Sequence, residues 1–166
     1  MIEGLLKNYY SSGVFKDSHS IFKKRCKEKN CILKGNLDDY VVLDGDNIEK
    51  YVSGSKRKSG DCIIVDKYPN ENNDVDVVLC ELCRGRKDFK EVREKIINSA
   101  EHIVDVFDEL GININMLKCC YLGKYGDYKM ALKLISKPIH VRGFEEYDVF
   151  IENYACGTDI ETLKDS

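Results

Sequence analysis

The segment Asp76-Val-Val-Leu-Cys-Glu-Leu-Cys83 limits more than any other what this chain can become. Its apolar residues run on without the alternation of a half-solvated strand. Such a run predicts a strand covered on both faces, as at the centre of a sheet flanked by helices. The residues after it supply one such helix. Asp88 is placed as an N-cap, with Glu91 three residues on to complete a capping box. Phe89, Val92, Ile96, Ala100, Ile103, Phe107 and Leu110 then recur at helical spacing, and Gly111 stands where a C-cap belongs. A second apolar strand is predicted over 114–122. Strand, long helix and strand in succession make a crossover unit.

Upstream, residues 1–30 read as helical with a break at Ser11-Ser12-Gly13, and the piece Ser18–Lys29 carries the basic cluster Lys23, Lys24, Arg25, Lys27 and Lys29. Asp39–Asp44 is β-rich and runs into Gly45-Asp46-Asn47, a turn by its chemistry. A polar, basic loop, Ser53–Gly60, precedes a short strand over 61–66, and a turn over 68–74 leads into the central strand. A loop is expected at Arg84-Gly-Arg-Lys87. Beyond 122 we expect a helix over 128–136 ended by Pro138, short strands at 139–141 and 148–151, and a terminal helix over 158–164 capped by Thr158. The order α-α-β-β-β-α-β-α-β-β-α predicts an α/β fold with a mixed central sheet flanked by helices. At 166 residues the chain fits a single domain spanning 1–166.

Hydrophobic residues make up 43% of the chain and charged ones 33%, as in soluble globular proteins. No run approaches the ~18 apolar residues of a membrane span. The first thirteen residues lack a basic n-region and a long apolar core, so no secretory signal is expected and a cytoplasmic location is. Net charge is −3, which leaves affinity for nucleic acid to a local patch. The eight cysteines are expected as reduced thiols, several acting as small hydrophobes within apolar runs.

Two acids stand out. Asp61 and Glu81 lie on consecutive apolar strands joined by a short, turn-rich loop, so a hairpin would bring them to one face. An ionised carboxylate among Val, Leu, Ile and Cys is costly unless paired, solvated or metal-bound. Two together call for a cation, and Mg2+ (or Mn2+) is a hard ion suited to oxygen ligands. The segments Ser59-Gly-Asp-Cys-Ile-Ile-Val65 and Asp76–Gly85, with the helix from Asp88, resemble the core of the PD-(D/E)XK nuclease superfamily over about residues 39–122. That resemblance implies a restriction endonuclease-like core. It implies a divalent metal on Asp61 and Glu81 and hydrolysis of nucleic-acid phosphodiesters. It also implies an acid on the first helix, for which Glu3 and Glu28 are the candidates. The family's lysine two residues after the glutamate is here Cys83, so Lys87 or Lys90 is expected to substitute from the start of the helix.

Lys56, Arg57, Lys58, Arg84 and Arg86 flank the two acidic strands and are expected to form a phosphate-binding rim. Loss of the motif lysine gives the alternative: an inactive domain of the same fold that binds nucleic acid or a protein partner, a second copy included. Cys80-x-x-Cys83 and Cys26-x4-Cys31 have zinc-ligand spacing, but residues i and i+3 of a strand point to opposite faces, so neither zinc nor an iron–sulfur cluster is expected. His19, His102 and His140 share no spacing that suggests a catalytic or ligand set.

Overall fold

The computed structural model describes residues 1–11, 21–51, 61–125 and 128–165; of 49–51, 84–86, 125, 128, 130 and 134 it describes the backbone. The elements are helices α1 (Ile2–Ser11), α2 (Gly45–Tyr51), α3 (Phe89–Leu110), α4 (Tyr128–Ile135) and α5 (Ile160–Asp165), with strands β1 (Phe22–Lys23), β2 (Lys27–Glu28), β3 (Cys31–Ile32), β4 (Tyr40–Asp44), β5 (Cys62–Asp66), β6 (Asp74–Lys87), β7 (Asn113–Tyr125) and β8 (Ile151–Tyr154). Among the described residues, six strands form one mixed sheet in the order β1-β4-β5-β6-β7-β8, and β2–β3 is a separate hairpin. β4, β5 and β6 are antiparallel neighbours; β6, β7 and β8 run parallel.

The alternation of side chains along β5 and β6 gives the sheet its two cores. Ile63, Val65, Val75, Val77 and Leu79 join Val92, Ile96, Ala100, Ile103 and Phe107 of α3, with Ile2, Leu6 and Tyr10 of α1. Ile64, Val78, Cys80, Leu82, Cys120 and Leu122 face the other way, onto Cys26, Cys31, Leu33 and the α5 residues Ile160 and Leu163. The central strand is thus covered on both faces, which is why its sequence does not alternate. α3 begins and ends as its caps dictate. The Asp88 side chain accepts from Lys90 N, and Gly111 is left-handed at φ 69°.

Several boundaries differ from expectation. From residue 22 the chain is not helical: Phe22 and Lys23 pair with Leu43 and Val42, and 27–32 is a hairpin turning at Lys29, φ 52°. The basic run Lys23–Arg25 has no apolar stripe at helical spacing, so pairing with β4 wins. Residues 45–47 open α2 instead of a turn, because Asp44 accepts from Asn47 N at 3.2 Å as a cap. β6 absorbs the expected loop 84–87, since Arg86 and Lys87 pair with Lys124 and Tyr125. The last strand falls at 151–154, where it pairs with Cys119–Leu122, and 139 and 149 make only an isolated bridge. α5 is capped by Asp159, which accepts from Glu161 N, and not by Thr158.

Four cysteines are not the reduced thiols expected. Cys26 is bonded to Cys62 and Cys31 to Cys156, with Cα atoms 5.9 and 5.0 Å apart. Both bonds tie the 26–32 hairpin and its flanks across the face opposite α3. Cys80, Cys83, Cys119 and Cys120 remain thiols. No helix among the described residues is long and apolar enough to cross a membrane.

Candidate active site

The register of β5 and β6 decides what Asp61 and Glu81 can do. Cys62 is opposite Cys80; one step further along antiparallel strands puts Asp61 opposite Glu81. Both belong to the α3 side of the sheet, in phase with Ile63 and Leu79. Asp61 is 4% exposed and Glu81 0%. Two carboxyl groups therefore stand side by side, out of water.

Local bonds hold them. The Asp61 carboxylate accepts from Leu82 N at 2.7 Å, and the Asp61 carbonyl accepts from Gly45 N at 3.2 Å. Lys87 Nζ donates to Glu81 Oε1 at 2.7 Å and to the Leu82 carbonyl at 3.3 Å. A straight strand would carry Lys87 ~20 Å from Glu81, at ~3.3 Å per residue. The register slips between Leu82 and Arg86, and that irregularity lets Lys87 reach back. Lys95, from the second turn of α3, lies 3.8 Å from Glu81 Oε2 and 3.7 Å from Glu91. Glu81 Oε2 is buried with no hydrogen-bond partner among the described residues.

Burial first, then the charge of the adjacent Asp61, raises the Glu81 carboxyl from 4.5 to about 8; Lys87 opposes this. The physical reason is that a second ionisation sets two carboxylates side by side in a dry place, and Lys87 at 2.7 Å with the more distant Lys95 at 3.8 Å offsets only part of that cost. For Lys87, burial pulls the ammonium down, but the bond and charge of Glu81 outweigh it and the net shift is upward. Asp46, at the start of α2, is raised by loss of hydration on its inner side and by Asp61, with Lys95 pulling the other way.

The predicted residues thus separate. Asp61, Glu81 and Lys87 come together. Lys90 does not: it is exposed and lines a hollow on α3 with Arg93, Glu94, Ile97 and Asn98. Arg84 and Arg86 are on β6 between Leu82 and Asp88, with their side chains outside the described set. Lys56, Arg57, Lys58 and His19 lie outside the described residues altogether. Glu3 is paired with Lys7 on α1, and Glu28 is in the hairpin opposite Cys31. Cys83 packs against the α3-side core while Cys80 faces the other core.

Sequence reasoning passes over two residues of this group. Asp46 is hidden in a segment with turn chemistry, though an acid just past the end of a neighbouring strand is a usable signal. Lys95 shows in the sequence only as the i,i+4 partner of Glu91; its approach to the sheet depends on how α3 is rotated. Among the described residues no group of three or more His, Cys, Asp or Glu side chains is arranged to hold a metal ion. Asp61 and Glu81 bring two carboxylates, the hard oxygen ligands that an ion such as Mg2+ takes. No family model, curated protein or solved structure matches this chain.

Proposed function

We propose that this chain is a metal-dependent, nuclease-like protein with a restriction endonuclease-like core, acting on the phosphodiesters of nucleic acid. The observation that carries the reading is the paired, buried Asp61 and Glu81 on adjacent antiparallel strands, with Lys87 bonded to the pair. The donor set fits a hard divalent ion. Asp61 and Glu81 bring two carboxyl groups to one dry place beside Lys87 and Lys95, and carboxylate oxygens are the ligands a hard ion takes. Asp61 and Glu81 would hold Mg2+ or Mn2+, which when bound supplies Lewis-acid stabilisation of phosphoryl charge and a more acidic water.

The chain's own residues do the rest. The Leu82 N–H fixes the Asp61 carboxylate from behind. Lys95 stands against the far oxygen of Glu81 and limits the repulsion within the pair. Lys87, partly open to solvent, presents its ammonium where an anionic phosphate arrives, the duty Cys83 cannot perform. Arg84, Arg86, Lys56, Arg57 and Lys58 are the proposed phosphate-binding rim.

A second reading has its own observation. Glu81 is wholly buried and already bonded to Lys87, as in a domain that keeps the fold without the chemistry and binds nucleic acid or a protein partner, a second copy among them. The test is cleavage of single- and double-stranded DNA and RNA with Mg2+ or Mn2+. The nuclease reading expects divalent-dependent cleavage that vanishes in Glu81→Ala. A folded protein that cleaves none of them under any of these conditions is a binding module.

A further inference from the structure

We propose that the Lys87 ammonium is a built-in occupant of the cation position, so that loading a divalent ion expels Lys87 and delivers it toward the substrate phosphate. This rests on the metal site proposed above and adds its regulation. Lys87 Nζ touches a carboxylate oxygen of Glu81 at 2.7 Å and the carbonyl oxygen of Leu82 at 3.3 Å. Those are hard oxygen ligands, of the kind a divalent ion takes. The Leu82 residue is held at its N–H too, which donates to Asp61 at 2.7 Å. Asp61, Leu82 and Glu81 are thus tied together by these bonds, and the ammonium sits on the Glu81 and Leu82 oxygens.

A divalent ion bound at the Glu81 oxygen that Lys87 now holds would stand close to the ammonium, and like charges that near in a dry site repel strongly. Lys87 is built to give way. Its side chain is 18% exposed, whereas that of Glu81 is fully covered. It comes after the register slip between Leu82 and Arg86, so rotating about its own side chain takes it outward without moving β6. Lys95 stays, since it approaches the opposite oxygen at 3.8 Å, from α3 and with Glu91 as a second partner. Once released, Lys87 is a mobile cation at the mouth of a loaded site. One side chain thereby keeps the pair quiet without metal and becomes a phosphate contact with it.

The test is Mn2+ binding, followed by the free-ion paramagnetic resonance signal, in the wild-type chain and in Lys87→Met. The expected result is binding at least about tenfold tighter in the variant, because the competing charge is gone. Equal or weaker binding in Lys87→Met overturns the occupant role and leaves the metal site standing. Absence of Mn2+ binding in both proteins overturns the site and the occupant together. Should Lys87→Met fail to fold, the wild-type chain alone decides. Amine-selective labelling read by mass spectrometry should rise at Lys87 on saturation with Mn2+, with Lys90 as an exposed reference. Unchanged labelling at Lys87 in the saturated protein overturns the proposal.

Discussion

Replacing Glu81 by Gln removes one ionisable group from a dry carboxyl pair and keeps its size and hydrogen-bonding reach, so its effect on stability is set by the protonation of that pair. In the folded chain the Glu81 carboxyl holds its proton up to about 8, against 4.5 for a free side chain. Between those pH values the folded state binds more protons than the unfolded one. Stability therefore falls as pH rises through this window, and levels off above it. At about 1.4 kcal/mol per pH unit, a window of about 3.5 pH units gives a ceiling of about 5 kcal/mol. Local relaxation and water entry bring the expected loss to about 2–4 kcal/mol. Glu81→Gln lacks this slope. Urea unfolding from pH 5 to pH 9, without divalent ions, should show the variant near wild type at pH 5 and more stable than wild type by about 2–4 kcal/mol at pH 9. Difference curves that stay flat across that range would refute the claim that the pair is dry and shares a proton.

Three other perturbations probe the packing, the cross-links and the site. Gly123→Ala places a Cβ against the Cys83 carbonyl oxygen and the Tyr121 ring at φ +147°; a loss of more than about 1 kcal/mol in urea unfolding is expected, and a neutral result would show that β6 and β7 can part there. Cys31→Ser with Cys156→Ser opens a cross-link between residues 125 apart; chain-entropy arguments put the loss at about 3–5 kcal/mol, and unfolding midpoints that match wild type in the absence of reductant would show the bond contributes nothing. Cys83→Lys places a cation two residues after Glu81 on the same side of β6; on the proposed nuclease reading Mg2+-dependent cleavage should rise at least about tenfold, and no gain would count against that thiol as the weak point of the site.

Periodicity and capping account for what is legible in the sequence. The unbroken apolar run at 76–83 and the capped pattern from Asp88 to Gly111 suffice to place a covered central strand, a long helix and a parallel neighbour. The facing of Asp61 and Glu81 is also within reach, because a short loop between two strands fixes a hairpin and period two fixes the face. The 21–32 region is not legible, since a two-residue strand and a tight hairpin leave no periodic signal, and their pairing with β4 is a long-range choice. Disulfide partners are hidden for a related reason: spacing does not say which cysteines meet. The second turn of α3 shows the same limit at the site. Lys95 reads as a surface i,i+4 residue of Glu91, and only the rotation of the packed helix turns it toward Glu81.

The most direct examination of the metal-site claim is an anomalous difference map from crystals of the chain soaked in Mn2+. The expected map has a peak within coordination distance of both the Asp61 and Glu81 carboxylates, with the Lys87 ammonium moved off Glu81. A fully soaked crystal in which Lys87 keeps its bond to Glu81 and no peak stands between the two acids would contradict it.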